Sequence, residues 1–372
     1  MAERFSLKDD LFNARTVAQL AGEFAAGVPG FDAARFEQEA LAGFPERELM
    51  ARMEWLADCA EAQLATDFPT MADQLEAAMP ARLDPTLRDD DFGQFIHAVP
   101  GILAVRHGLE DHRVRAMALL YEATQRFSME FYIRPFLNRW TEETLADLTL
   151  WAEDGNYHVR RLVSEGTRPK LPWAKAVVLT PDQTLPLLDR LHDDPTRFVT
   201  RSVANHLNDL SKTHDDLVLA QLAAWQAQGS QAPKELDWIT RHALRTLIKQ
   251  GHKGAMTALG FDAEVPVTVA LNIETAEVAI GEALVFSCTV TSDQALPVLV
   301  DYRITFARPD GKAGEKVFKL KQGTATATKP FAARKVHKLK GDATTFRLYP
   351  GAHRVTVQVN GVDRAEAGFE LI

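Results

Sequence analysis

The chain has 372 residues, 46% of them apolar and 25% charged: a globular composition, and too long for one ordinary core, so two domains are expected. No apolar run reaches membrane-spanning length, so neither a helical membrane protein nor a membrane partner is expected. The net charge of -9 argues against nucleic-acid binding by the whole surface, but it leaves room for a local basic face.

The start, MAERFSLKDD, carries no apolar core behind its charges, so no signal peptide is expected. Cys59 and Cys288 are far apart and rule out a disulfide framework, which fits a reducing cytoplasm. No Cys or His pair has ligand spacing and no nucleotide-binding glycine loop is visible, so neither a metal nor a cofactor is expected.

Residues 1 to about 110 read as helices: Arg15 to Phe24, Asp32 to Leu41, Glu46 to Ala65 and Phe68 to Met79. Phe24, Phe31 and Phe36 are expected in the core, with a groove as the other option. This region also holds most of the acidic excess, from Glu37 to Asp89, Asp90 and Asp91, so one side of the protein solubilises and another binds. The spacing next predicts one long helix over Met117 to Arg134, terminated by Pro135. Glu122, Arg126 and Glu130 would share its face, and on spacing alone an ion-pair stripe worth a few tenths of a kcal/mol per pair is the favoured explanation.

From Trp140 a repeat of about 40 residues emerges. VRRLV at 159–163 aligns with VTRSV at 199–203 and ITRHA at 239–243, placing Arg161, Arg201 and Arg241 in one slot. Acidic turns precede the first two (Glu153-Asp154 and Asp193-Asp194), so the arginines either lace the repeats together or face a ligand. Helix pairs at this period predict an all-α HEAT-like solenoid over residues 1–262. A concave face with Arg161, Arg168, Lys170, Arg201, Asn205, Lys212, Arg241, Arg245 and Lys249 would suit a polyanion. Asp209 lies on the Arg201 side of its helix. The stretch from Val159 to Trp173 adds what the repeats lack: Glu165, Arg168, Trp173 and a loop stiffened by Pro169 and Pro172.

Beyond Phe261 the pattern alternates with period two, in runs around Val267–Ile273, Leu284–Val290, Tyr302–Phe306, Val317–Leu320 and Val355–Val359. Turn signals at Asp310-Gly311, Pro350-Gly351 and Asn360-Gly361 complete an all-β immunoglobulin-like sandwich over 266–372. Its basic middle (Lys312, Lys316, Lys319, Lys321, Lys335, Lys338) protects strand edges or touches nucleic acid.

Carboxylates beside an indole and arginines suit cleavage of an N-glycosidic bond, whose scission develops oxocarbenium character on the sugar. A carboxylate about 4 Å from that charge contributes roughly 4 kcal/mol at an effective dielectric near 20, about three orders of magnitude in rate. That suffices when the leaving group is a positively charged alkylated base.

Four segments carry a family resemblance: ERFSLKDDLFN near the start, MEFYIRPF at 129–136, HVRRLVSEGTRPKLPW at 158–173 and SVANHLNDLSK at 202–212. By these the chain resembles the AlkC branch of the AlkC/AlkD family of bacterial alkylpurine DNA glycosylases, in the form with an appended immunoglobulin-like domain. The resemblance implies release of 3-methyladenine, with 3-methylcytosine a second candidate, from duplex DNA without a deep base-flipping pocket. It implies Glu130, Glu165 and Asp209 as site carboxylates, Trp173 at the lesion, and Arg161 and Arg168 on the backbone. Asn205 stands where the AlkD branch has a tryptophan, which favours AlkC. A monomer working at the bacterial nucleoid is the corresponding expectation. The reading from another class is a non-catalytic repeat scaffold that binds DNA or an acidic protein.

Overall fold

The computed structural model describes residues 6–87, 89, 91–309, 311, 313–341 and 347–372. Glu3, Arg4 and Phe5 of the first resemblance segment, Asp90, Asp310 and Lys312 lie outside the described residues. The chain divides into two compact units, Met1–Leu210 with Gly229–Pro233, and Ser211–Gln228 with Lys234–Ile372.

The first unit is helical: α1 (Leu7–Leu11), α2 (Ala14–Gly27), α3 (Ala33–Gly43), α4 (Leu49–Glu61), α5 (Phe68–Ala77), α6 (Val99–Leu103), α7 (Arg113–Thr124), α8 (Ile133–Arg139), α9 (Thr141–Trp151), α10 (Tyr157–Gly166), α11 (Pro181–Leu191) and α12 (Arg197–Leu210). Local chemistry sets the early boundaries. Asn13 and Thr16 form a capping box that starts α2, and Asp67 caps α5 with Pro69 in its first turn, where a missing N–H costs nothing. Phe24, Phe31 and Phe36 are all buried, and Phe24 stacks on Phe31 at 5.0 Å, so they belong to the core and not to a groove.

The long helix expected over Met117 to Arg134 does not form. α7 ends at Thr124, and a helix resumes only at Ile133. Tertiary contacts outweigh periodicity in the gap. Thr124 Oγ1 accepts a hydrogen bond from the Met129 amide, Phe127 forms a β-bridge with Gly93, and buried Gln125 accepts from Asn156. Pro135 lies in the first turn of α8, so it opens a helix instead of closing one. Arg126 therefore pairs with Glu122 (2.8 Å) and does not bridge to Glu130, which is released toward a different partner.

α10 and α12 pack on each other, with Ser202 Oγ 3.0 Å from Ser164 Oγ and His206 Nδ1 3.1 Å from the Ser164 carbonyl oxygen; Val159, Val163, Val203 and Leu207 are all without solvent exposure. Asn156 caps α10 by accepting from the His158 amide (2.8 Å). The lacing between repeats falls to Arg160 and not to Arg161: its Nε donates to Asp194 of the next acidic turn (2.5 Å), and its Nη1 to the Asp154 carbonyl (2.8 Å).

Among the described residues, the second unit contains α13 (Asp215–Gln228), α14 (Pro233–Ala243), α15 (Arg245–Lys249), α16 (Lys253–Ala258) and eight strands. The strands are β1 (Thr268–Ile273), β2 (Glu277–Val278), β3 (Ala283–Thr291), β4 (Leu296–Phe306), β5 (Gly314–Ala325), β6 (Phe331–Lys338), β7 (Gly351–Val359) and β8 (Val362–Leu371). They form two sheets, β1-β3-β6 and β2-β8-β7-β4-β5, antiparallel except for β2 with β8.

The inward residues Phe286, Cys288, Tyr302, Ile304, Val355 and Val357 are buried between the sheets, at roughly 2–3 kcal/mol for each large side chain. Asn360 and Gly361, at φ 51° and 80°, make the tight turn between β7 and β8. A Cβ on Gly361 would lie 2.9 Å from the Gly251 backbone, so this contact admits only glycine. Lys316, Lys319 and Lys321 lie on β5 and Lys335 and Lys338 on β6; each strand is the free edge of its sheet, where lysine deters pairing with another chain.

Candidate active site

The site belongs to the first unit and is assembled from α10, α12 and the loops on either side of them. Glu130 comes from the turn between α7 and α8, held there because that segment is not helical. Its Oε2 accepts from Ser128 Oγ (2.7 Å) and from Arg161 Nη1 (2.9 Å). Arg161 also donates to Ser128 Oγ (2.9 Å), and its Nη2 lies 3.8 Å from Glu165. The guanidinium is stacked as well as paired, with its Cζ 4.3 Å from the ring centroid of Phe198 and 5.1 Å from that of Phe92. It is therefore fixed in plane and in register.

Glu165 is the centre of the network. Its Oε1 accepts from Arg168 Nη1 (2.5 Å), and its Oε2 from Ser202 Oγ (2.6 Å). Burial opposes its ionisation, but the Arg161 and Arg168 guanidiniums and the Ser202 hydrogen bond outweigh it and hold the carboxyl below the usual glutamate range. Arg168 reaches on to Asp209, with Nε and Nη2 at 3.0 and 2.9 Å from Oδ2. Burial pulls Arg168 down, and Glu165 and Asp209 together raise it above the ordinary arginine value. An anion, an alternating cation and a second anion are thus locked in line.

One cleft is lined by Glu130, Glu165, Arg161 and Arg168 together with Phe92, Phe95, Phe127, Phe131, Phe198 and Trp173. Arg201, Ser202 and Asn205 complete its α12 side, and Arg201 pairs with Asp89. Trp173 is 66% exposed and has φ 64°, a conformation that bulky side chains rarely adopt. Asp209 is buried and outside the lining; it acts on the cleft through Arg168.

The other expected residues are placed differently. Lys170 is exposed on the loop before Trp173, and Lys212 is exposed just after α12. Arg241, Arg245 and Lys249 belong to the second unit. The stripe they were expected to form is interrupted at Leu244, between α14 and α15. Lys249 lies near Asp301, a carboxyl that burial raises to about 6 and that Lys319 and Lys249 partly restrain.

Sequence reasoning missed Ser128, Ser202 and the phenylalanine wall, whose members come from separate stretches with no shared spacing. It also missed Arg134, fully buried, which donates to the carbonyls of Gly166 (2.9 Å), Arg168 (2.8 Å) and Lys175 (2.5 Å). A lone charge inside the apolar run FYIRPF was the available signal. Among the described residues no group of three or more His, Cys, Asp or Glu could hold a metal, and no helix is long and apolar enough to cross a membrane.

Fold and site together define a class: a helical protein with an appended β-sandwich, whose cleft combines ionised carboxylate, fixed guanidiniums and aromatic faces. Known proteins place it further. Residues 116–247 match the DNA alkylation repair enzyme family, and residues 268–372 match the family described as uncharacterised protein YhaZ, C-terminal Ig-like domain. The chain is 31% identical over 371 residues to the uncharacterized protein YhaZ of Bacillus subtilis (strain 168), covering 97% of this chain and 98% of that one. It is also similar to the Pseudomonas fluorescens alkylpurine DNA glycosylase AlkC, solved bound to DNA containing an abasic site analog. That match has 35% identity and a TM-score of 0.88, covering 99% of this chain and 100% of the other. The chain belongs to the AlkC branch of the DNA alkylation repair family, in the form with a C-terminal immunoglobulin-like domain.

Proposed function

We propose that the protein is a monofunctional, metal-free DNA glycosylase that hydrolyses the N-glycosidic bond of alkylated bases in duplex DNA, with 3-methyladenine as the principal lesion and 3-methylcytosine as a second. The carrying observation is that Glu130 and Glu165 share one aromatic cleft with Trp173, framed by Arg161 and Arg168. The helical region is read as a HEAT-like solenoid; the successive pairs α9–α10 and α11–α12, laced by Arg160, support this. DNA is bound across the cleft without drawing the base into a deep pocket.

In the reaction, the bond from C1′ to the base nitrogen breaks and its electron pair leaves with the base, which departs neutral because the alkylated base was cationic. Water adds to C1′ and loses one proton. Glu165, ionised but fully hydrogen-bonded, is suited to stabilise positive charge on the sugar. Glu130 uses Oε2 for Ser128 and Arg161, and its Oε1 is the oxygen proposed to orient the water. Arg201, Lys170, Lys212, Arg241, Arg245 and Lys249 are proposed to hold phosphates.

Glu130→Gln is the cleaner test. Glu165→Gln removes a counter-ion from buried Arg161 and partly buried Arg168, a change that costs about 3–5 kcal/mol of stability in comparable buried pairs. Glu130→Gln is expected to slow 3-methyladenine release from methylated duplex DNA about a hundredfold, read by chromatography of the freed base, with the melting temperature little changed. Wild-type rates in this variant, or a wild-type protein that binds DNA and frees no base over hours, would instead favour a non-catalytic scaffold.

A further inference from the structure

The segment from Gly166 to Val178, which carries Trp173, is irregular, yet its backbone is held at both ends by one short helix. On α8, Arg134 donates to the carbonyls of Gly166 and Arg168 before Trp173 and of Lys175 after it. One turn along, Asn138 donates to the Ala176 carbonyl (2.8 Å) and accepts from the Val178 amide (3.1 Å). These five hydrogen bonds come from two side chains spaced i, i+4, so they project from one face of α8. Burial lowers Arg134 to about 10, which leaves it charged at neutral pH and its bonds to the carbonyls charge-assisted.

The loop needs such a hold. Trp173 has the left-handed φ of 64°, costing on the order of 1–3 kcal/mol, and its ring is largely exposed at the cleft rim with little packing to fix it. Two prolines stiffen the chain between the anchors but do not set where it sits.

We infer that Arg134 and Asn138 form a latch that positions Trp173 for the lesion, so that α8, which contributes no side chain to the cleft, sets the efficiency of base release. Both are positioning residues. A fork of coplanar donors spans the three carbonyls, whereas the point-like ammonium of lysine cannot reproduce that geometry.

The inference rests on the glycosylase reading, and a double-mutant cycle separates the two. Arg134→Lys is expected to lower kcat/KM for 3-methyladenine release about a hundredfold, the scale of an ångström of misplacement. Asn138→Ala, at an exposed position, is expected to lower it about fivefold, mostly in KM. In a Trp173→Ala background each effect should shrink to within about twofold, because the latch acts only through that ring. A role limited to holding the fold would lower the melting temperature and cost the same factor with or without Trp173. Equal factors in the two backgrounds, or wild-type kinetics in both variants, overturn the latch. If Arg134→Lys does not fold, the Asn138→Ala cycle decides alone. If the wild type frees no base, the glycosylase reading fails instead. The same cycle is then read as affinity for a duplex containing an abasic-site analog, and the same additivity overturns it.

Discussion

α10 and α12 occupy equivalent places in successive repeats, carry an arginine in the same slot, and do different things with it. Arg161 on α10 is buried, stacked on Phe198 and bound to Glu130. Arg201 on α12 is half-exposed and pairs with Asp89. Four residues further on, α10 has Glu165 and α12 has Asn205. The shared pattern builds the scaffold, since both helices bury their valines and leucines and pack on each other. The cleft is made by what each helix meets outside the repeat: the turn at Ser128 to Glu130, the phenylalanines, and the loop that carries Arg168 and Trp173.

The largest break in this comparison is to give α10 the α12 residue. Glu165→Asn removes the ionised carboxylate from the cleft and is expected to cut base release by about three orders of magnitude. Asn205→Glu in the same chain is not expected to restore it, because Arg168 and Ser202 are built around position 165. Activity recovered in the double variant would show that the two slots are interchangeable.

A second test asks where the helices are alike. Each buries a neutral histidine: burial, with Arg161 nearby, brings His158 down to about 4, and burial brings His206 down to about 4. The sign follows from proton binding. Between pH 6.5 and 4 the unfolded chain takes up protons that the folded chain refuses, so stability falls as pH drops through that window. Each histidine should cost about 2 kcal/mol between pH 7 and 5, measured by urea unfolding. Glu165 does not contribute in that range, because its lowered pKa confines its loss to pH below the usual glutamate value. His337 of the sandwich is also lowered, mainly by burial, and adds dependence of the same sign. His206→Gln should flatten the pH dependence; an unchanged slope would contradict burial of the neutral form.

The smallest expected effect is at the half-exposed rung. Arg201→Ala should weaken duplex binding several-fold, equally for damaged and undamaged DNA, and reduce the salt slope by about 1. A loss restricted to damaged DNA would place Arg201 with Arg161 in the chemistry.

Much of this molecule was legible in its sequence. Helical periodicity located α2 to α5 and α9 to α12, and alternation located β1, β3, β4, β5 and β7, because burial of one face is written locally at periods of 3.6 and 2. β6 and β8 were not legible, since their alternation is diluted by Arg334, Lys335, Asp363 and Glu366. Glu165, Arg168 and Trp173 stood out by departing from the repeat, Arg161 was one rung of it, and Glu130 entered through the family resemblance; the structure brings all five to one cleft.

Partners were a different matter. Sequence placed Glu130 on a continuous helix with Arg126; the structure breaks that helix, and Glu130 pairs with Arg161 instead. Sequence left the repeated arginine between lacing and ligand contact; in the structure the contact with the next acidic turn belongs to Arg160. It grouped Asp209 with the candidate carboxylates Glu130 and Glu165, and the structure sets it behind Arg168. Arg134, Asn138, Ser202 and the phenylalanine wall became visible only once distant segments met. Which residues are apolar, charged or helix-breaking is a local property, and the sequence determined those. Which carboxylate meets which guanidinium depends on side chains about 30 to 110 residues apart converging within hydrogen-bond distance, and only tertiary packing decides that.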